Sequence, residues 1–137
     1  MPSHQPTDAA LQSMIELAVA ASRHAYIPYS HYPVGAALRA TDGQVFTGCN
    51  VENAAFPATI CAERTALVKA VSEGRREFDV LVVVTRNGGS PCGTCRQMLY
   101  EFAPALHVVI ADLDGRIHTD LPLSDLLPRG FGPHGLE

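Results

Sequence analysis

The sequence has no excess of positive charge. Ten lysine and arginine residues are outnumbered by fourteen aspartate and glutamate residues, which gives a formal net charge of −4 at pH 7. A protein that binds a phosphate backbone needs a positive surface that displaces counterions. Polymeric nucleic acid is therefore disfavoured as a partner.

The chain also lacks long apolar runs and low-complexity segments. No stretch approaches the roughly 20 consecutive apolar residues that span a bilayer. Residues 1–8 carry no basic segment followed by an apolar core, which a secretory signal would have. These absences predict a cytoplasmic protein with no membrane partner. The 137 residues, 47% of them hydrophobic, predict a single domain spanning 1–137.

The order of predicted elements indicates an α/β protein with a single mixed β-sheet of about five strands and helices on both faces. Apolar residues at three- and four-residue intervals predict a first helix from Thr7 to about Ala25. An Asp42-Gly43 turn predicts a hairpin. The small residue Gly35 predicts a close approach by a helix or ligand. The predicted strands are 34–40, 45–49, 78–85, 106–111 and 116–119, and the further helices are 61–74, 92–102 and 123–127.

Three of the four cysteines have the spacing of a metal site. With no secretory leader, metal binding or catalysis is favoured over disulfides. Cys61 precedes one predicted helix, and Cys92 and Cys95 form a CxxC motif at the start of another. Helix N-termini lower thiol pKa values and so favour metal binding. Three thiolates leave one position of a tetrahedral Zn²⁺ open for water, which is the layout of a catalytic site, and Glu63 is placed to move that water's protons.

Two other interpretations of the cysteines remain open. A CxxC that follows a strand and begins a helix also fits a thioredoxin-like redox pair. A structural zinc site closed by Cys49 or by a histidine is the second alternative. Both would leave Glu63 without a catalytic role.

Two arginines are candidates for offsetting the charge of the cluster. Three thiolates around a divalent ion carry a net charge of −1. Arg64 follows Cys61 by three residues, and Arg96 is adjacent to Cys95. Both guanidinium groups can donate charge-assisted hydrogen bonds to the sulfurs, and the alternative for each is a surface arginine.

An amide and a carboxylate at the end of the predicted hairpin suggest a sugar site. Asn50 and Glu52 are two residues apart, so strand alternation points them to the same side. Together they donate and accept hydrogen bonds as vicinal hydroxyls require. The alternative is a solvated strand end.

Five short segments occur in order between about Tyr29 and Gly132. They are YPVGAA (32–37), GCNVENA (48–54), CAERTA (61–66), PCGTCRQ (91–97) and LLP (126–128). Together they resemble the cytidine deaminases of the small homotetrameric type. The resemblance covers nearly the whole chain and implies the three-layer fold of that family.

The resemblance implies one Zn²⁺ per chain held by Cys61, Cys92 and Cys95, with Glu63 as the catalytic acid and base. The activity implied is hydrolytic deamination of cytidine and deoxycytidine at C4, a step of pyrimidine salvage. The implied nucleoside-binding residues are Tyr32, Asn50, Val51, Glu52, Asn53, Ala54, Ala55, Phe56, the main chain of Ala62, and Phe131.

The resemblance also implies a homotetramer whose sites are completed by neighbouring subunits, with Phe131 reaching across an interface to the base. The chain departs from the family at two positions. Tyr32 stands where the family usually has Phe, and Phe56 where it often has Tyr. The hydrogen bond that a tyrosine at position 56 would offer to a neighbouring site is lost.

Other functions share parts of this pattern. A deaminase of a cytosine-nucleoside antibiotic such as blasticidin S has the same zinc motifs but not the ribose-binding glutamate implied for Glu52. A polynucleotide deaminase is disfavoured by the acidic balance. A non-catalytic, zinc-stabilised binding module would need no Glu63.

Overall fold

The computed structural model describes residues 6–136, which form a five-stranded mixed β-sheet in the order β2-β1-β3-β4-β5. Strands β3 and β4 are parallel, and the other neighbours are antiparallel. The predicted fold class is confirmed, whereas the 1–137 domain boundaries include residues outside the described part and stay a prediction. The strands are β1 (Gly35–Ala40), β2 (Val45–Cys49), β3 (Phe78–Thr85), β4 (His107–Asp112) and β5 (Ile117–Pro122).

Helices cover both faces of the sheet. They are α1 (Asp8–Ser22), α2 (Ala62–Ser72), α3 (Gly93–Phe102) and α4 (Leu123–Leu126), with 3₁₀ turns at Phe56–Ala58 and Pro133–Leu136. Met14 and Ile15 of α1 pack with alternate valines of β3 on one face. Leu67 of α2 and Leu99 of α3 pack on the other face. Because both sides of β3 are buried, the strand is apolar from Val80 to Val84.

Two glycines permit the helices to lie close to the sheet. A Cβ on Gly35 would lie 1.9 Å from the carbonyl oxygen of Ala18, so α1 rests directly on the start of β1. A Cβ on Gly48 would lie 2.6 Å from the backbone nitrogen of Ala66, so α2 is equally close to β2. The predicted close approach at Gly35 is confirmed, and the approaching element is a helix.

Several predicted boundaries were wrong by a few residues. The first helix ends at Ser22 because Tyr26 N–H donates to the carbonyl of Asn50 and the chain must turn toward that partner. The last strand extends to Pro122 because it pairs along β4 as far as His107. Within residues 6–136, no helix has the length and apolarity to span a bilayer.

Strand directions bring the chemically interesting residues to one edge of the sheet. Strands β2 and β3 both run antiparallel to β1, so the carboxyl ends of β2 and β3 lie beside the amino end of β1. Helix α2 follows β2, and α3 follows β3. Both cysteine motifs and the loop before Gly35 therefore meet at this edge, where α/β proteins usually bind ligands.

Candidate active site

Three cysteine sulfurs form a cluster at the starts of α2 and α3. Cys61 and Cys92 are the N-cap residues of these helices, and Cys95 lies one turn into α3. The Sγ atoms of Cys61 and Cys92 are 3.7 Å apart, those of Cys92 and Cys95 are 3.5 Å apart, and all three lie within 4.8 Å of one another. Tetrahedral zinc with Zn–S bonds of about 2.3 Å separates its sulfurs by about 3.8 Å. The three cysteines therefore fit a zinc ion.

The sulfurs differ in how readily they ionise. A hydrogen bond from Cys95, followed by one from Arg64, lowers the pKa of Cys61. The pKa of Cys95 is raised, first because its proton is shared with Cys61 and then because its side chain is buried. Cys61 thus supplies the thiolate that a metal ion requires more readily than Cys95 does.

Arg64 lies against the cluster. Its Nη2 donates to Cys61 Sγ at 3.5 Å and to the Thr59 carbonyl at 3.1 Å. Its Nε is buried without a hydrogen-bond partner within residues 6–136. The guanidinium therefore places a positive charge beside the sulfurs.

The predicted contact between Arg96 and a sulfur is wrong. Its Nε donates to the Pro91 carbonyl at 2.7 Å, Nη1 to the Leu126 carbonyl at 2.8 Å and Nη2 to Ser90 Oγ at 2.9 Å. Adjacent residues of a helix point about 100° apart, so the neighbour of Cys95 faces away from the cluster. Arg96 instead ties the loop before α3 to the end of α4.

Glu63 is the acidic residue nearest the cluster along the chain. It lies in the first turn of α2 and is only 4% exposed. It lines the same pocket as Cys61 and Cys92. Burial, and then the negative charge of Cys61, raise the pKa of Glu63 to about 7. A carboxyl group with this pKa exchanges protons readily near neutral pH.

The sulfur cluster opens into a cavity of about 190 Å³. Its lining residues are Tyr32, Val34, Asn50, Thr59, Cys61, Ala62, Glu63, Val83, Thr85, Gly89, Ser90 and Cys92. Sequence reasoning singled out only half of these. It missed Gly89 and Ser90, although a Gly-Ser loop at the carboxyl end of a strand, directly before a CxxC motif, is a signal that could have found them.

Asn50 lines this pocket and is 9% exposed. Its Nδ2 donates to the Tyr32 carbonyl at 2.9 Å, and its Oδ1 accepts from Val34 N–H at 3.0 Å. A primary amide has two donors and two acceptor sites, so one of each is still available to a ligand.

Glu52 lies outside the pocket, in an adjoining depression of about 430 Å³ lined by Tyr29, Ser30, Glu52, Phe56 and Thr59. Its Oε1 accepts hydrogen bonds from the backbone nitrogens of Tyr29 at 3.0 Å and Ser30 at 3.1 Å. Hydrogen bonds, first from the Ser30 side chain, lower the pKa of Glu52, so the carboxylate is ionised at neutral pH. Because Thr59 lines both spaces, the pocket and the depression are neighbours.

The remaining predicted residues fall into two groups. Ala62 is buried in the pocket wall. Phe56 is 70% exposed, and its ring meets the edge of Tyr29 with centroids 6.0 Å apart. Phe131 is 58% exposed, and its carbonyl accepts from the side chain of Gln97. The exposed residues outside the pocket lining are Val51, Asn53, Ala54, Ala55, Phe56 and Phe131.

Comparisons with known proteins match this geometry. The profile of the family described as the cytidine and deoxycytidylate deaminase zinc-binding region matches residues 8–111. A cytidine deaminase from Sporosarcina psychrophila is 45% identical over 130 residues, which cover 93% of this chain and 95% of that protein. One from Halalkalibacterium halodurans is 47% identical over 123 residues, covering 88% of this chain and 92% of that protein.

Solved structures give the same result. The crystal structure of cytidine deaminase from Burkholderia pseudomallei superimposes with a TM-score of 0.84 at 45% sequence identity. The superposition covers 92% of this chain and all of that one. The two proteins therefore share sequence as well as fold.

Replacement of a clustered cysteine should remove the metal, whereas replacement of the cysteine outside the cluster should not. We expect Cys92→Ser to lower bound zinc from about one ion per chain to a small fraction, because a neutral hydroxyl replaces a thiolate ligand. Cys49→Ser is the matched control, because Cys49 lies at the end of β2 and outside the three-sulfur group. Metal analysis of the purified variants decides. Full zinc in Cys92→Ser would contradict the assignment.

Proposed function

The chain belongs to the cytidine and deoxycytidylate deaminase family, and we propose that it hydrolyses cytidine and deoxycytidine to uridine and deoxyuridine with release of ammonia. One observation carries the proposal. A buried glutamate and a group of three zinc-compatible cysteines lie at a small pocket, and the half-buried carboxylate of Glu52 lies in the adjoining depression. This is an enzyme of a zinc-binding family.

The two adjoining spaces divide the nucleoside between them. Ligand-sized pockets are roughly 300–1,000 Å³, so a cavity of about 190 Å³ accommodates the pyrimidine ring without the sugar. Val34, Val83 and Tyr32 present apolar surface to the flat base. The ribose then lies toward the depression, where Glu52 binds its hydroxyls from the depression and the remaining donor and acceptor of Asn50 bind them from the pocket wall.

The protein's own groups move the protons. Zinc, when bound by the three cysteines, supplies an activated water near neutral pH. Glu63 would accept one proton from that water and deliver it to N3 of the base as the C–O bond forms at C4. It would then accept the remaining proton of the new hydroxyl group and deliver it to the amino group, which leaves as ammonia when the C–N bond breaks. The pKa of Glu63, about 7, suits a group that must both accept and release a proton.

Two further groups support this step. The main chain of Ala62 lies in the pocket wall beside Glu63 and orients the amino-bearing edge of the base. Arg64 offsets the excess negative charge of three thiolates around a divalent ion. Its hydrogen bond withdraws negative charge from the Cys61 sulfur. Without this bond, the charge on the sulfur would make a zinc-bound water less acidic.

The open depression favours a larger assembly. Exposed apolar side chains of Tyr26, Tyr29, Val51, Phe56 and Ile60 lie on the segments around Glu52. Contiguous apolar surface of this kind marks protein interfaces. The homotetramer implied by the family covers this surface with other subunits, and Phe131 of a neighbour closes the pocket over the base.

Sedimentation tests the assembly. We expect the protein to sediment as four chains of 14.7 kDa, and Phe56→Asp to shift it toward smaller species because an exposed aromatic ring is replaced by a charge in an apolar contact. Glu73→Asp, a change at an exposed helix end, is the control. A wild-type protein that sediments as a monomer at micromolar concentration would contradict the tetramer.

Glu63→Gln tests the reaction. The amide has nearly the same shape but cannot carry the proton. We therefore expect zinc content and fold to be retained while kcat for cytidine falls by ~10²-fold to 10⁴-fold or more. Loss of cytidine absorbance gives the rate, and metal analysis of the same sample gives the zinc content. A variant with wild-type turnover would leave only a zinc-stabilised binding module.

Competing substrates are measured beside cytidine with the wild-type protein. Deoxycytidine should be turned over as well, whereas blasticidin S, free cytosine and single-stranded oligonucleotide should be poorer substrates. Higher kcat/KM for the antibiotic or the oligonucleotide would reverse this ranking.

Glu52→Gln tests the sugar site. The substituted amide oxygen still accepts from Tyr29 and Ser30, so the change isolates the loss of charge. A hydrogen bond to a charged group is worth ~1.5–3 kcal/mol, so we expect KM for cytidine to rise about tenfold or more with a smaller change in kcat. Glu73→Gln at the exposed end of α2 is the control. Unchanged kinetic constants would remove Glu52 from the ribose site.

A further inference from the structure

Two loops flank the pocket, and a side-chain hydrogen bond joins them. The first flanking loop, residues 27–34, leads into β1, and the second flanking loop, residues 86–91, leads from β3 to α3. The hydroxyl of Tyr32 in the first loop donates to Oδ1 of Asn87 in the second at 2.5 Å. Tyr32 and Val34 of the first loop and Gly89 and Ser90 of the second all line the pocket. The bond therefore joins two segments of the pocket wall.

Arg86 makes a second connection between the same loops. Its Nη2 donates to the carbonyl of His31 at 2.6 Å, and its guanidinium lies 5.2 Å from the centre of the Tyr32 ring. His31 has a φ of 57°, the left-handed conformation that non-glycine residues rarely adopt. Such a conformation persists only where the surrounding structure holds it, and Arg86 supplies one of those restraints.

The second flanking loop offers a fixed anchor. Thr85 Oγ1 accepts from Gly89 N–H at 2.7 Å. A Cβ on Gly88 would lie 2.4 Å from the ring of His118, so the loop rests directly on that side chain. His118 is itself held by Asp112, whose carboxylate is 2.9 Å from His118 Nε2. The loop that carries Asn87 is thus supported from β3 and from β5.

The first flanking loop also contacts both predicted sugar ligands. Glu52 accepts from the backbone nitrogens of Tyr29 and Ser30, and Asn50 bonds the Tyr32 carbonyl and Val34 N–H. A displacement of this loop would move the wall of the base pocket and the two sugar-binding side chains together.

We propose that Asn87 and Arg86 are positioning residues for nucleoside binding, which act through Tyr32 and His31 to set the distance between the two loops. Neither residue touches the base. They hold the ring of Tyr32 in the pocket wall and keep Asn50 and Glu52 aligned with the sugar. This role rests on the proposed function, and it affects substrate binding more than proton transfer at Glu63.

A double-mutant cycle tests the Tyr32–Asn87 bond. Tyr32→Phe and Asn87→Ala should each raise KM for cytidine about threefold to tenfold, with kcat within about twofold of wild type. The double variant should be no worse than either single variant, because both remove the same bond. Tyr100→Phe, which removes a hydroxyl outside both loops, is the control. Additive effects, or losses confined to kcat and accompanied by loss of zinc, would overturn the proposal.

The glycine beside the hydroxyl gives a test by compensation. A Cβ on Gly89 would lie 3.0 Å from the Tyr32 hydroxyl oxygen, closer than such atoms normally approach. Gly89→Ala should therefore raise KM several-fold in the wild-type background but add little in the Tyr32→Phe background, where that oxygen is gone. An equal rise in KM in both backgrounds would show that Gly89 acts independently of the Tyr32–Asn87 bond and would count against the proposal.

Hydrogen–deuterium exchange provides a readout that needs no turnover. Backbone amides of the first flanking loop should exchange faster in Asn87→Ala and in Arg86→Gln than in wild type, whereas the exposed change Arg116→Gln should leave them unaltered. Unchanged exchange in both loop variants would overturn the proposal. If the wild-type protein fails to deaminate cytidine while the exchange result holds, the proposed function is wrong, but the role of Asn87 and Arg86 in holding the two loops together is supported.

Discussion

The starts of α2 and α3 must lie side by side for this site to exist. Three sulfurs within 4.8 Å of one another come from two segments thirty residues apart, and neither segment alone supplies enough ligands. Strand direction brings the two segments together, because β2 and β3 end at the same edge of the sheet. The chain after each strand leads to a cysteine at a helix N-cap. The helix dipoles at that edge then favour the anionic form of the ligands.

The same edge gathers negative charge, and the chain offsets it locally. Glu63 and the cysteines share a small volume from which water is largely removed, so each anion opposes the ionisation of the next. Arg64 is the cation that touches the cluster. Burial and the negative charge of Cys61 raise the pKa of Glu63 to about 7, whereas the positive charge of Arg64 acts in the opposite direction.

The sequence predicted the elements well and the side-chain directions poorly. Hydrophobic periodicity and the Asp42-Gly43 turn gave the order of strands and helices, because each depends on a few adjacent residues. The contact expected of Arg96 was wrong, since adjacency along the chain says little about which way a helical residue points. The loop partners of Tyr32 and Asn50 could not be predicted either, because they pair residues brought together only by the sheet.

The close packing of α1 on β1 determines where an amino-acid substitution can harm the enzyme. Gly35 touches the carbonyl of Ala18 on the face of the sheet opposite the cysteine helices, yet the residue before it, Val34, is a wall of the pocket. Any side chain at Gly35 would push the strand's first residue outward and carry Val34 with it. A substitution on the opposite face of the sheet can thus impair catalysis through geometry alone, without altering a group that contacts the nucleoside.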